Sequence, residues 1–260
     1  MFPIRDDNPQ ILVPYATYAI VILNGLAWVF LQGLGMDPQL AKSLCHFALI
    51  PAEFLNNLDG PSQIRVSQSV ACVLGDSSAW YAPVTSMFMH GSWMHIIGNM
   101  WFLWIFGNNV EDAMGHFRFI IFYLLCGLAA AALQTGLNPS SAVPMVGASG
   151  AIGGVMGAYI LLYPRVHVHL LIFFGFFITT IAVPAVFMLG YWFVLQLLGG
   201  FTSLGAQGGG VAFWAHIGGF GAGAILMYLF RDKKLLERHP YHGWQQGPSS
   251  SRSWQRINRR

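Results

Sequence analysis

The chain has 260 residues, of which 55% are hydrophobic and only 9% are charged. Soluble domains carry about 25% charged residues, so this composition excludes an ordinary soluble enzyme and predicts an integral membrane protein. The formal charge of +3 is read as a sign of membrane topology rather than of nucleic-acid binding.

Six segments are long and apolar enough to cross a bilayer core of about 30 Å, if tilt and glycine breaks are allowed. In chain order they cover residues 12–32, 91–108, 117–137, 147–163, 183–199 and 212–230. The first is interpreted as a retained helix, because Arg5 is followed by two aspartates rather than by a signal-peptide pattern. The sequence therefore predicts an all-α membrane protein with one six-helix domain over residues 1–230.

The segments between these helices differ in character. The loop 33–90 mixes prolines, charges and apolar stretches, which predicts a loop partly inserted into or folded on the outer leaflet. The segment 165–184 is apolar and β-branched but interrupted, and it is interpreted as interfacial rather than as a further span. The tail 231–260 is basic and rich in serine, which is typical of disorder.

Basic residues predict the orientation, because Lys and Arg near helix ends favour the cytoplasm. With the N-terminus inside, the inner segments hold eleven Lys and Arg residues and the outer segments hold only Lys42 and Arg65. We therefore expect a multi-pass protein of the cell inner membrane with both termini cytoplasmic. The basic tail is expected to be solvated, and contact with anionic lipid is the alternative.

Three cysteines are too few for a disulfide framework. Cys45 and Cys72 both fall in the outer loop, where a disulfide is chemically allowed and two free buried thiols are the alternative. Cys126 lies inside the third helix and is expected in the core.

Polar side chains are costly in a membrane and are therefore candidates for function. They cluster at the starts of the even-numbered helices: His90, His95 and Asn99 at the second, Ser149 at the fourth and His216 at the sixth. Every even-numbered helix begins at the outer face in the predicted topology. These side chains are therefore expected at one depth, just below the outer surface.

A metal site built from His90, His95 and His216 is not expected. No carboxylate or thiolate joins them at ligand spacing, and HxxxxH is not a zinc pattern. Taken singly, an intramembrane histidine is explained as well by a hydrogen bond to a neighbouring helix. No metal and no cofactor are predicted.

The glycines of the fourth and sixth helices allow close helix packing, because small residues four apart form one helix face. Three such pairs occur, namely Gly150 with Gly154, Gly153 with Gly157, and Gly219 with Gly223. Packing explains these glycines but not Ser149, because alanine would pack as closely without a hydroxyl group to satisfy.

Contact between these two helices would bring Ser149 and His216 within hydrogen-bond reach, as a nucleophile with its general base. The unpaired N–H groups at the start of the fourth helix favour an anion there, and His95 and Asn99 can add donors to such an oxyanion hole. No Asp or Glu lies in the six segments near His216, so the predicted catalytic unit is a dyad.

Over residues 80–230, the motifs resemble those of the rhomboid intramembrane serine proteases. "HGSWMHIIGN" is similar to the family's HxxxxHxxxN motif, "GASG" to its GxSG motif and "AHIGGFGAG" to its AHxxGxxxG motif. The resemblance implies Ser149 as nucleophile, His216 as base, and His95 and Asn99 on the oxyanion side. It implies structural roles near the site for a further set: His90, Gly147, Gly150, Gly219, Gly223 and Glu111.

The chain departs from the best-known family pattern at two places. Gly153 stands where some members have a tyrosine that packs on the catalytic histidine, and Trp80-Tyr81 stands where some have Trp-Arg. The first departure leaves open what orients His216. The resemblance also implies an outer-leaflet loop between the first two helices and a lateral gate near the fifth.

The predicted function is hydrolysis of peptide bonds in or next to transmembrane helices of single-pass protein substrates. A proteolytically silent rhomboid-like protein that binds client helices is one alternative, and retention of Ser149 and His216 argues against it. A transporter is another, and it is disfavoured because the polar groups lie near one surface rather than at the midplane.

Overall fold

The computed structural model describes residues 2–58, 62–75, 79–174, 177–203 and 211–239. A helix lies in each of the six predicted segments: α1 (Tyr15–Leu26, continued by a π-helical turn Ala27–Leu31), α5 (Trp93–Met114), α6 (His116–Leu137), α7 (Ser149–Leu162), α8 (Ala185–Ser203) and α9 (Phe213–Phe230). Three of them, α6, α8 and α9, are long and apolar enough to cross a membrane. The stretch Tyr15–Leu31 and α7 are apolar but shorter.

Helix α7 is the centre of the bundle, where it packs against α9, α6 and α5. Nearly every residue of α7 from Gly150 to Tyr159 is buried, whereas α8 buries only one stripe, formed by Ala185, Leu189, Gln196 and Gly200. The chain thus places the helix that begins with Ser149 in the protein interior and leaves α8 at the periphery.

Helix α5 extends six residues beyond the predicted boundary at 108, because its polar end has partners. Both oxygens of the fully buried Glu111 carboxylate accept from the start of α1: Oε1 from Ala16 N–H at 2.9 Å, and Oε2 from Thr17 N–H at 2.8 Å and from its hydroxyl at 2.7 Å. These are N–H groups that a helix start leaves unpaired, and a carboxylate is favoured at that end of the helix dipole. Glu111 therefore ties α1 to α5.

The apolar segment before α8 is a β-hairpin, so the all-α fold class was wrong in this respect, and the interfacial interpretation of 165–184 did not include strands. Strands β4 (His167–Phe174) and β5 (Phe177–Pro184) pair antiparallel. Strand β1 (Phe2–Asp6) adds to β4, with Phe2 opposite Leu171 and Asp6 opposite Val168. The β-branched residues of the segment favour strands, but the pairing with β1 depends on residues more than 160 positions away.

The loop between α1 and α5 is folded rather than irregular. It contains the short helices α2 (Gln39–Phe47), α3 (Pro51–Phe54) and α4 (Ala82–Thr85) and the hairpin of β2 (Ser62–Arg65) with β3 (Ala71–Leu74). Cys45 and Cys72 form a disulfide between α2 and β3, which decides between the two alternatives. Cys126 is a free thiol buried in the core, as expected.

The beginning of the predicted disordered tail is ordered. Helix α10 (Lys233–Glu237) follows α9, with Leu236 buried. Asp232 donates its N–H to the Ala113 carbonyl at 2.8 Å, and its carboxylate lies 3.5 Å from Arg118. The prediction of disorder from 231 was wrong for this part, because these contacts with α5 and α6 cannot be read locally; residues 240–260 lie outside the described residues.

Candidate active site

Ser149 and His216 form a hydrogen bond between the closely packed helices α7 and α9. Ser149 is the first residue of α7, and His216 lies in the first turn of α9. The His216 Nε2 atom is 2.8 Å from the Ser149 hydroxyl oxygen. A serine hydroxyl bonded to an imidazole nitrogen is the arrangement in which the imidazole can take the proton as the oxygen attacks.

Glycines allow the close approach of α7 and α9 that this hydrogen bond requires. A Cβ atom at Gly219 would overlap the carbonyl oxygen of Gly150, and one at Gly223 would overlap that of Gly154. Packing at backbone-to-backbone distance is the structural use of such glycine pairs in membrane helices. The pairs expected from spacing are thus in contact along the same interface as the serine and histidine.

Helix α8, which sequence reasoning did not include in the site, supplies two side chains that contact His216. Gln196 Oε1 lies 2.8 Å from His216 Nδ1, and the Trp192 ring centroid lies 5.8 Å from that of His216. Gln196 could have been noticed as an amide on an otherwise apolar helix, since such residues are rare in membranes. Its proximity to His216 could not have been predicted, because the two residues lie 20 positions apart on different helices.

Gly153 explains why the aromatic partner comes from another helix. A Cβ at Gly153 would lie 3.0 Å from the His216 carbonyl oxygen, so a side chain here requires α7 or α9 to give by a few tenths of an ångström. No aromatic ring is present at this position of the family pattern, and the Trp192 ring of α8 packs beside the imidazole.

His95 and Asn99 approach the start of α7 from α5. A Cβ at Gly147 would lie 2.6 Å from His95 Nε2 and 3.5 Å from Asn99 Nδ2, so both nitrogens face the peptide two residues before Ser149. Gly147 has φ +118°, a conformation that L side chains rarely adopt, and its N–H donates to the Ser86 carbonyl at 2.9 Å. Only glycine meets both requirements at this position.

The hydrogen bonds of these two side chains leave donors directed at that peptide. His95 Nδ1 accepts the Gly91 N–H at 3.4 Å, so a neutral His95 carries its proton on Nε2. Asn99 is 8% exposed, and its Nδ2 has no partner among the described residues. A buried donor without a partner costs about 1–3 kcal/mol, which is consistent with a site prepared for an acceptor.

His90 lies before α5 and is fully buried. Its backbone N–H and carbonyl bond both ends of the Gln32 amide, at 2.8 and 2.7 Å, and its ring packs edge-on against the His95 ring. His90 is thus placed to hold the π-helical end of the first helix against the start of α5. Across the described ranges no three His, Cys, Asp or Glu side chains are grouped as metal ligands.

A crevice opens beside Ser149. Its lining consists mainly of glycine and alanine residues with a few larger side chains: Pro83, Ser86, Met87, Gly127, Ala130, Ala131, Met145, Val146, Gly147, Gly150, Ala151, Ala212 and Ala215. Such a lining accommodates a small apolar group next to the serine hydroxyl.

The fold and the site together define a helical membrane protein with a serine–histidine pair between two closely packed helices. The Rhomboid domain family model matches residues 77–233, more than half of the chain. The chain belongs to the rhomboid family.

Parts of the chain are similar to proteins from plants and bacteria. The chain is 34% identical to "Rhomboid-like protein 11, chloroplastic" of Arabidopsis thaliana over 138 residues, 53% of this chain and 42% of that protein. It is 31% identical to "Rhomboid protease GluP" of Bacillus subtilis over 141 residues, 50% of this chain and 26% of that protein. The matches therefore cover less than half the length of these relatives.

Proposed function

We propose that this protein is an intramembrane serine endopeptidase that cleaves peptide bonds in or next to transmembrane helices of single-pass membrane proteins. The observation that carries the proposal is the 2.8 Å hydrogen bond between Ser149 and His216 at the start of two packed apolar helices. Membership of the rhomboid family and the relative named a rhomboid protease support it.

In this mechanism His216 Nε2 takes the proton of Ser149 as its oxygen attacks the substrate carbonyl carbon. The tetrahedral oxyanion accepts hydrogen bonds from the Ser149 N–H, from Asn99 Nδ2 and from His95 Nε2–H. His216 then gives its proton to the leaving amine, and water hydrolyses the acyl-enzyme by the same steps in reverse. Preorganised donors of this kind usually supply the largest part of the rate enhancement.

The membrane arrangement is also part of the proposal: α1, α5, α6, α7, α8 and α9 cross the bilayer as one domain over 1–230, and the tail 231–260 is cytoplasmic. The distribution of basic residues supports cytoplasmic termini in a cell inner membrane. The Cys45–Cys72 disulfide gives independent support, because disulfides persist outside the reducing cytoplasm and both cysteines lie in the loop assigned to the outer face.

The test is labelling of the detergent-solubilised protein with a fluorophosphonate, together with cleavage of a helical membrane substrate. We expect the probe on Ser149, and we expect Ser149→Ala and His216→Ala each to reduce cleavage to background while the protein stays folded. The double variant should be no worse than either single one, because members of one catalytic unit are non-additive.

Ser86→Ala is the matched control, since Ser86 lines the same crevice but its hydroxyl donates to the Pro83 carbonyl rather than to a histidine. It should be labelled and should cleave as the wild type does. Cleavage at the wild-type rate by Ser149→Ala would refute the protease and leave a protein that binds client helices.

A further inference from the structure

We infer that Gln196 is a positioning residue for His216: its side-chain oxygen accepts the Nδ1 proton and thereby holds the imidazole in the tautomer that can accept from Ser149. This inference rests on the proposed function, and it assigns to α8 the role that an aspartate has in a catalytic triad.

The hydrogen bonds of Gln196 and His216 define which amide atom faces which ring nitrogen. Gln196 Nε2 donates to the Trp192 carbonyl at 3.3 Å, so Oε1 is the amide atom directed at His216. On the other side of the ring, Nε2 must be unprotonated to accept from Ser149. The proton of neutral His216 is then on Nδ1, where Gln196 is the acceptor.

No carboxylate competes for this position. There is no charged residue between Arg165 and Arg231, which includes all of α8 and α9, and α7 has none either. On α5 the carboxylates of Glu111 and Asp112 accept from the start of α1 and from the residues before it, at the opposite end of the helix from His95. Among the described residues, His95 is a titratable group that interacts electrostatically with His216.

The burial of Gln196 indicates a specific role. It lies on the single buried stripe of α8 and is 8% exposed, at a position where an apolar side chain would be the ordinary choice on a membrane helix. Burying an amide is unfavourable unless its polar atoms are bonded, and here the oxygen is bonded to His216. Because an amide cannot take up the proton, Gln196 orients the base and does not itself react.

Three variants test this role. Gln196→Leu introduces an apolar side chain of similar size and removes the acceptor, and Gln196→Glu keeps an acceptor. Leu189→Ala is the control, because Leu189 lies on the same buried stripe, seven residues before Gln196, and packs in the hydrophobic core. Each is compared with the wild type by fluorophosphonate labelling rate, by kcat and KM across pH, by thermal unfolding and by nitrogen NMR of His216, identified by its absence in His216→Ala.

A positioned general base contributes about 10²–10⁴-fold, so Gln196→Leu should lower kcat and the labelling rate by about ten- to a hundredfold with KM nearly unchanged. Its His216 spectrum should lose the single tautomer with the proton on Nδ1. In Gln196→Glu the acid limb of kcat/KM should move to higher pH, because a carboxylate stabilises the protonated ring more than an amide does. Leu189→Ala should lower the unfolding temperature without changing the acid limb or the tautomer.

The inference would be overturned if the Gln196→Leu variant is folded, is labelled at the wild-type rate and keeps the wild-type tautomer of His216. If that variant does not fold, an unchanged acid limb in Gln196→Glu overturns it, and a shifted limb supports it. Failure of the proposed function is separate: the wild-type protein would then not be labelled at all, whereas the NMR comparison would still report whether Gln196 holds the His216 proton.

Discussion

The hydrogen-bond donors around Ser149 differ in whether they already have an acceptor. Asn99 Nδ2 has no partner among the described residues, while the bond from Gly91 to His95 Nδ1 leaves the Nε2 proton of His95 available. Backbone donors at the start of α7 complete the set. Because several donors would share the negative charge of the proposed oxyanion, removal of one donor should weaken catalysis without abolishing it.

Asn99→Ala should therefore lower kcat while the fold and KM change little. One oxyanion donor is worth about 2.7–4 kcal/mol, or about 10²–10³ in kcat, and His95→Ala should do similar or greater damage. Steady-state cleavage and thermal unfolding measure this. Asn108→Ala, which removes an amide nine residues further along the same helix, is the control. Full activity in both site variants would leave this face of α5 with a packing role only.

Helices α7 and α9 form the closest contact in the bundle, and their glycines are not equivalent. A Cβ at Gly219 meets the backbone of Gly150, which cannot rotate away as a side chain could. A Cβ at Gly221 meets nothing within 4 Å, because this residue faces away from α7. The same substitution therefore has opposite expected effects two positions apart.

Gly219→Ala should separate α7 from α9 and reduce fluorophosphonate labelling by about a hundredfold, since a displacement of about 1 Å in a catalytic group can cost that much. Overpacking should also lower stability by about 1–3 kcal/mol. Gly221→Ala should be labelled normally and should be as stable as the wild type or more so, because alanine favours helix by about 1 kcal/mol. Equal labelling of the two variants would show that close helix approach does not determine the site.

The proposed membrane arrangement places the basic residues and the disulfide on opposite sides of the bilayer. Ser69 lies in the loop that carries the disulfide, and Lys233 begins α10 on the side proposed to be cytoplasmic. A membrane-impermeant maleimide should label Ser69→Cys in intact cells and Lys233→Cys only after lysis. The native thiol Cys126 is buried and should not react. The reverse labelling pattern would invert the orientation and place the site near the inner face.

At the end of the bundle opposite the serine, Asp6 links β1 to two helices. Its carboxylate accepts from the Tyr159 hydroxyl and from Asn109 Nδ2 at 2.8 Å. Burial raises the pKa of Asp6 from 3.8 to about 7, although the hydrogen bonds from Tyr159 and the backbone oppose this. Between these pH values the folded state binds more protons than the unfolded chain, so this group makes stability fall as pH rises through that window.

Asp6→Asn should remove this pH-dependent loss of stability. The loss amounts to about 4 kcal/mol at most at pH 8. The difference in unfolding free energy between the variant and the wild type should grow in favour of the variant from about pH 4 to about pH 7 and then stay constant. Thermal or chemical unfolding at a series of pH values measures it. Asp7→Asn serves as the control, because its side chain is exposed. A pH-independent difference would show that Asp6 is ionised throughout.

The sequence by itself determined the elements that depend on local composition and spacing. Continuous apolar stretches predict membrane helices because the bilayer requires about 20 such residues, and the six helices fall within or near the predicted segments. Polar side chains at the starts of apolar segments, together with the family motifs, predicted Ser149, His216, His95 and Asn99 as site residues. The rhomboid family was predicted from these motifs and is confirmed.

Only the tertiary structure decided what depends on distant parts of the chain. The acceptor for His216 comes from Gln196 on a peripheral helix, the strand before α8 pairs with residues 2–6, and Cys45 bonds to Cys72. None of these has a local pattern, because hydrogen bonds, strand register and disulfides depend on how elements pack and not on spacing within one element. The sequence thus pointed to Ser149 and His216, whereas only the packing of α8 brings Gln196 to His216.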